Sequence, residues 1–500
     1  MSRDVPRVRN DSPSPLHLRR VVGVLAGLLA AAALLLLDTP LQHFGEWGAR
    51  PARAAAVVAC MAVWWLTEAL PIYWTACLPL LAYPLLRPFA GGLAANARGA
   101  AVPYVDPYIF LFAGGMAIAA AMQQHDLHRR LALSIMVRVG AAPRRLLGGV
   151  LIATAFVSLW LSNTATATMM FPIGLALIAQ LEVQLGRRLS HYGMAVMLAV
   201  AYGSNIGGIG TKIGTAPNAQ LSGFAEKLGI DISFLQFAAV GFPFVVMFLP
   251  VAWWALWRIG RREGLAGDLG SEVLRRELAA LGSMRRGEHA VTAVFGAAAA
   301  LWIASKPLTG LLQQRWSGLT SAQVEGTIAM LAGITLLLLR ADGAAVLRPA
   351  SLRRVPWETL LLLGGGFAMA AGVQGSGLSQ WLARQLLAAR AMPPIAQVLL
   401  ASVVTVGVSA IASNTATTAI MLVVLREAVA APLLPTILFA ATLAASCDFA
   451  LPAGTPPNAI VFGSGYVSLP RMARTGVLLD LLAAVMVAGW CWLIVPLVIR

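Results

Sequence analysis

Apolar positions in this chain gather into runs of roughly 15–23 residues, close to the ~20 that a helix needs to cross ~30 Å of hydrocarbon. Stretches such as Val21–Leu37 show no alternation of apolar and polar positions, which is the signature a transmembrane barrel strand would carry. The pattern therefore predicts an all-α polytopic membrane protein. Eleven crossings are expected, near 21–37, 54–70, 71–89, 107–123, 193–223, 235–257, 290–304, 326–339, 357–373, 434–464 and 476–499.

Composition agrees with that reading. The 500 residues are 59% hydrophobic and 12% charged, against about 45–50% and about 25% in soluble domains. The net charge of +16 would point to nucleic acid in a soluble chain, but here the basic residues sit in short loops, where they set topology. No nucleic-acid partner is expected; the surroundings are membrane lipid. Arg3, Arg7, Arg9, Arg19 and Arg20 make 1–20 a cytoplasmic tail, followed by an uncleaved first helix and an external loop within 21–53. Segments 124–146, 258–289 and 340–356 are also rich in Arg and fall inside, whereas 90–106 and 305–325 are poor in basic residues and fall outside. The N-terminus is thus expected inside and the C-terminus outside, in the cell (inner) membrane. Cys60, Cys77, Cys447 and Cys491 lack metal-ligand spacing and read as small buried apolar residues. The stretch 258–289 has helical charge spacing around Glu272, Arg275, Arg276 and Glu277; it is read as a cytoplasmic linker rather than a regulatory module.

The chain also repeats itself. Gly114, Gly115, Ala117, Ala119, Ala120, Gln123 and Leu127 meet Gly365, Gly366, Ala368, Ala370, Ala371, Gln374 and Leu378 at an offset of 251. Ser158 and Ser162-Asn163-Thr164-Ala165-Thr166 meet Ser409 and Ser413-Asn414-Thr415-Ala416-Thr417 at the same offset. A further pair, Gly214-Thr215-Ala216-Pro217-Asn218 and Gly454-Thr455-Pro456-Pro457-Asn458, follows at 240. The Ser-Asn-Thr motifs join apolar arms that are short for full crossings, so each is read as the tip of a re-entrant hairpin, 147–181 and 396–431. Basic flanks put the first hairpin's mouth in the cytoplasm and the second's outside. The two units, 54–257 and 290–500, form an inverted-topology repeat of the kind found in secondary transporters.

Scattered His residues and the lack of a G-x-x-x-x-G-K-[ST] loop argue against an enzyme or an ATP-driven pump. What remains is four polar breaks: the two tips and the Gly/Pro-rich interruptions Gly203–Asn218 and Cys447–Asn458. Unwound backbone at membrane depth survives only where it is buried or lines a cavity. Its carbonyls, with Ser, Thr and Asn oxygens, suit a small hard cation, and half-helix N-termini suit a carboxylate. Either motif alone is as readily a satisfied helix end; the matched pair favours a site for an anion with two carboxylates.

At these residues the sequence resembles the divalent anion:sodium symporter family. The paired Ser-Asn-Thr motifs carry the resemblance, together with Trp64-Trp65-Leu66-Thr67-Glu68-Ala69-Leu70-Pro71 and Ser446-x-x-Phe449-x-x-Pro452 followed by Gly454 and Asn458-Ala459-Ile460-Val461. Ala453 and Ala216 depart from the family's usual residues. The resemblance implies a homodimer whose transport part slides against a scaffold part, as an elevator. It implies one Na⁺ site at Ser158, Ser162, Asn163 and Gly214 and another at Ser409, Ala412, Asn414 and Gly454. Substrate carboxylates would meet Asn163, Thr164, Ser413, Asn414 and Thr415, with Thr215, Thr455 and Pro456 beside them. The expected activity is Na⁺-coupled transport of C4-dicarboxylates such as succinate, malate or fumarate; sodium-independent exchange, citrate or sulfate transport, and a channel or sensor on the same fold stay open. Lys212 and Asp448, one in each interruption, are expected to pair with each other, the alternative being that Lys212 supplies a fixed charge near the first cation site. Glu68 is read as a scaffold carboxylate.

Overall fold

The computed structural model describes residues 15–267 and 270–499; the basic positions Arg3, Arg7 and Arg9 lie outside the described residues. Among the described residues nearly everything regular is helical, and the sole sheet is a two-residue hairpin pairing Arg340 with Ala345 and Ala341 with Ala344.

Helix limits reproduce the internal repeat. Hairpin arms Pro143–Ser158 and Pro394–Ser409 begin and end 251 residues apart, as do the starts of the return arms at Asn163 and Asn414 and of the helices at Leu127 and Leu378. Local chemistry explains the match. Each entry arm opens on a Pro at its first turn, where the missing N–H costs nothing. Each return arm starts after a Ser in extended conformation, and Ser162 Oγ accepts from the Ala165 amide at 3.4 Å.

The interruptions are true breaks. One helix stops at Gly208 and resumes over Ala216–Glu226; the other stops at Ala445 and resumes over Pro456–Phe462. Both restarts follow an extended Thr, Thr215 or Thr455, and carry Pro in the first turn. Each half packs on the opposite repeat: Ser190–Gly208 on Pro456–Phe462, and Ala216–Glu226 on Leu434–Ala445. The first of these is buried all round from Tyr192 to Gly208, as a helix apolar on every face should be. Gly207 permits that closeness, since a Cβ there would fall 2.1 Å from the Ala155 carbonyl oxygen on the entry arm. The outer surface is apolar instead, with Val477, Leu478, Leu481 and Val485 of Leu469–Val498 exposed.

Three boundaries differ from the sequence reading. Among the described residues, five helical stretches are long and apolar enough to cross a bilayer, one of them the hairpin return arm Asn163–Leu185 rather than an expected crossing, and two pairs bent by 67° and 79° raise this to seven; the expected crossings near 21–37, 54–70, 71–89, 193–223 and 434–464 are not among them. The return arm of the first hairpin runs to Leu185, 23 residues in all, beyond the apolar window that ended at Leu181. It passes Glu182, whose carboxylate accepts from the Leu189 amide at 2.7 Å and the Tyr466 hydroxyl at 3.0 Å. The stretch 258–289 is not a bare solvated connection: its helix Ser271–Ala280 packs on Leu127–Val139, Glu277 pairs with Arg129, and Arg130 reaches Glu288 at 2.5 Å.

Candidate functional site

The two hairpin tips and two restarts meet around one cavity of about 460 Å³. Asn163, Thr164, Thr215, Ser413, Asn414, Thr415, Thr455 and Pro456 all line it, joined by Ser162 and Gly454. Ser158, Gly214, Ser409 and Ala412 are absent from its lining. Ser158 and Ser409, both fully buried, lie directly behind it, one at each tip.

Both tips have the same bonding. Ser158 Oγ is 2.7 Å from the Ser204 carbonyl oxygen and 3.1 Å from Asn163 Oδ1. Ser409 Oγ is 2.7 Å from the Ala445 carbonyl oxygen and 2.8 Å from Asn414 Oδ1. A hydroxyl has one proton to give, so each cluster gathers three oxygens around a single proton. Oxygen-rich, donor-poor groups of this kind are the ligands that small hard cations take. The residues present therefore fit a cation, with the tip Asn as the shared edge between cation and cavity.

Asn218 and Asn458 staple the breaks. Asn218 Nδ2 donates to the carbonyls of Gly208 and Thr211 at 2.8 and 2.7 Å; Asn458 Nδ2 donates to those of Asp448 and Leu451 at 3.1 and 3.0 Å. Acceptors and donors alike are 240 residues apart, so the unwound turns are structural equivalents. Freed carbonyls are thereby satisfied, as buried backbone requires.

Sequence reasoning missed several residues of the cavity. Asn205, fully buried, bridges the two breaks by donating to Thr455 Oγ1 at 3.1 Å and the Asp448 carbonyl at 3.2 Å. A polar amide in an otherwise apolar run was the available signal. Glu68, Phe112 and Thr359 also line the cavity. Glu68 ends the helix Arg50–Thr67 in left-handed conformation, φ 50°, and is exposed toward that space.

The expected Lys212–Asp448 pair is not formed. Lys212 Nζ lies 2.7 Å from Glu325 Oε2, with both side chains fully buried. Glu325 Oε1 also accepts from the Phe234 amide at 2.6 Å and from Ser305 Oγ at 2.8 Å. Glu325 stood just before the apolar window 326–339 and read as a loop residue; the helix in fact begins at Ser321 and carries it inside. The fixed charge of Lys212 is thus balanced within the protein.

Broken helices crossing between two sequence-related halves, with hairpin tips at a shared polar cavity, define a multi-pass membrane transporter rather than an enzyme. The chain belongs to the divalent anion:sodium symporter family: residues 32–498 match the sodium:sulfate symporter transmembrane region. It is 36% identical over 488 residues to the sodium-dependent dicarboxylate transporter SdcS of Staphylococcus saprophyticus, covering 95% of this chain and 92% of that one. With the protein of the same name from Staphylococcus aureus it shares 34% identity over 490 residues, with the same coverage. Among solved structures, the YdaH transporter of Alcanivorax borkumensis, described as having an unusual topology, aligns with a TM-score of 0.52 at 15% identity, covering 96% of this chain and 97% of that one. That likeness concerns the fold.

Proposed function

We propose that the protein moves C4-dicarboxylates across the cytoplasmic membrane together with Na⁺. The observation that carries this reading is the charge of the cavity wall. Its lining includes no Lys, Arg or His, and its one ionisable side chain, Glu68, is acidic. A dianion there needs positive charge from elsewhere. Helix starts at Asn163, Ala216 and Asn414 supply partial charge, and cations in the two Ser-Asn clusters would supply the rest. Sodium-independent exchange leaves the dianion short of that compensation, so symport is preferred. The names of the staphylococcal relatives point the same way.

In this reading Asn163 and Asn414 each face a cation on one side and a substrate carboxylate on the other, with Thr164, Thr415, Thr215 and Thr455 completing the contacts. Ser158, Ser162, Asn163 and Gly214 hold one Na⁺, and Ser409, Ala412, Asn414 and Gly454 hold a second. The N-terminus lies in the cytoplasm and the C-terminus outside, with the repeats over 54–257 and 290–500 opening to opposite sides. Two copies form a dimer, and the hairpins with their broken helices move as an elevator between the two faces.

The test is uptake of labelled succinate into proteoliposomes with and without an inward Na⁺ gradient. Wild-type uptake should require the gradient, and Asn163→Ala and Asn414→Ala should each reduce it about tenfold or more, the scale of losing a charge-assisted contact. Uptake that ignores Na⁺ but is accelerated by unlabelled succinate inside would establish exchange instead. Uptake with no such acceleration would indicate a channel.

A further inference from the structure

The two halves differ at one charged position. Asn218 and Asn458 fix the equivalence of Gly208 with Asp448, because each Asn donates to the carbonyl of that residue and to the carbonyl three residues further on. In the first half, a Cβ on Gly208 would lie 2.1 Å from Asn163 Oδ1. The position therefore faces the Ser-Asn cluster. In the second half the same position carries a carboxylate, and it lies against Gly454, where a Cβ would come within 1.6 Å of Asp448 Oδ2.

That carboxylate is fully buried, and neither of its oxygens has a hydrogen-bond partner. Asn205 and Asn458 both donate Nδ2 to the Asp448 backbone carbonyl while their Oδ1 atoms are buried and unpartnered, and the Ser446 hydroxyl, two residues earlier, is also buried without a partner. Among the described residues no basic side chain pairs with it. Lys212 is engaged by Glu325, and the neighbouring acid, Asp480, is occupied by the Phe449 amide at 2.8 Å. A buried ion without a counter-charge costs several kcal/mol, and a carboxylate with two buried, unpartnered oxygens is a hard ligand of the kind a small hard cation takes.

We propose that Asp448 is a carboxylate ligand for the metal cation of the second site, so that this site is anionic where the first, with Gly208 at the equivalent position, is neutral. The proposal rests on the reading of the chain as a cation-coupled carrier. It makes the two sites unequal: the second should fill at lower Na⁺ and should be the one whose occupancy cancels a protein charge.

The experiment compares wild type with Asp448→Asn, which keeps shape but removes charge, and with Asp448→Gly, which copies the residue of the first half and serves if the Asn variant fails to fold. Na⁺ is titrated against choline in two readouts: thermal stability of the purified protein without substrate, and succinate uptake in proteoliposomes. Both variants should fold, lose most of the Na⁺-induced stabilisation, and need about tenfold more Na⁺ for half-maximal uptake. Wild-type Na⁺ titrations in the variants would overturn the proposal. So would stabilisation and uptake that follow pH and not Na⁺ in wild type and lose that pH dependence in the variants, because the carboxylate would then carry a proton. If wild-type uptake is Na⁺-independent while substrate-free Na⁺ still stabilises it through Asp448, the transport reading fails and the cation ligand stands.

Discussion

Lys212 and Asp448 show how differently two buried charges can be treated. Lys212 and Glu325 sit 2.7 Å apart with no exposure, and removing one partner of such a pair strands the other, a loss of about 3–5 kcal/mol. Lys212→Ala should therefore lower the thermal unfolding midpoint markedly, whereas Lys212→Met combined with Glu325→Gln should recover much of it. Na⁺ dependence of uptake in the double variant should match wild type, since the pair is electrically closed. A double variant with altered Na⁺ dependence would mean that Lys212 acts on the cation site. Among the described residues Asp448 has no such partner, and its charge is left for a ligand.

At the scale of elements, the broken helices depend on how they restart. Thr215 is extended at φ −148° and ψ 151°, and Ala216 begins the helix. Thr455 and Pro456 occupy the same places in the second half. Proline fits a first helical position after an extended residue, and it restricts the unfolded chain. Ala216→Pro should accordingly leave succinate uptake intact and change stability by no more than about 1 kcal/mol, in the stabilising direction, as read from thermal unfolding. A collapse of uptake would show that the Ala216 amide contacts substrate or cation.

For the whole molecule, orientation follows from where the basic loops lie. Arg276, in the docked helix between the repeats, and Arg315, after the bent pair of the second repeat, are both exposed. In intact cells a membrane-impermeant maleimide should label Arg315→Cys and spare Arg276→Cys until the membrane is permeabilised. The reverse pattern would invert the proposed topology. Cys60, Cys447 and Cys491 are buried and Cys77 is partly so, which keeps the background of such labelling low.

Much of the architecture is legible in the sequence because its causes are local. Apolar runs, prolines that open arms, and Ser-Asn-Thr tips act over a few residues, and their recurrence at 251 and 240 exposed two copies of one plan. Every proposed substrate contact turned out to line one cavity. What escaped depended on distance in sequence. Glu325 pairs with Lys212 across 113 residues, and Asn205 reaches Thr455 across 250; neither separation leaves a periodic trace. The helix from Ser271 docks by the ion pair of Glu277 with Arg129, a choice of partner that charge spacing alone leaves open. The amino-acid sequence by itself determined which segments would be helices and where they would break, since propensity and burial act along the chain. Only the tertiary structure decided which buried charges would be neutralised inside the protein and which, at Asp448, would be left to something that binds, because that balance is struck between residues brought together from opposite halves.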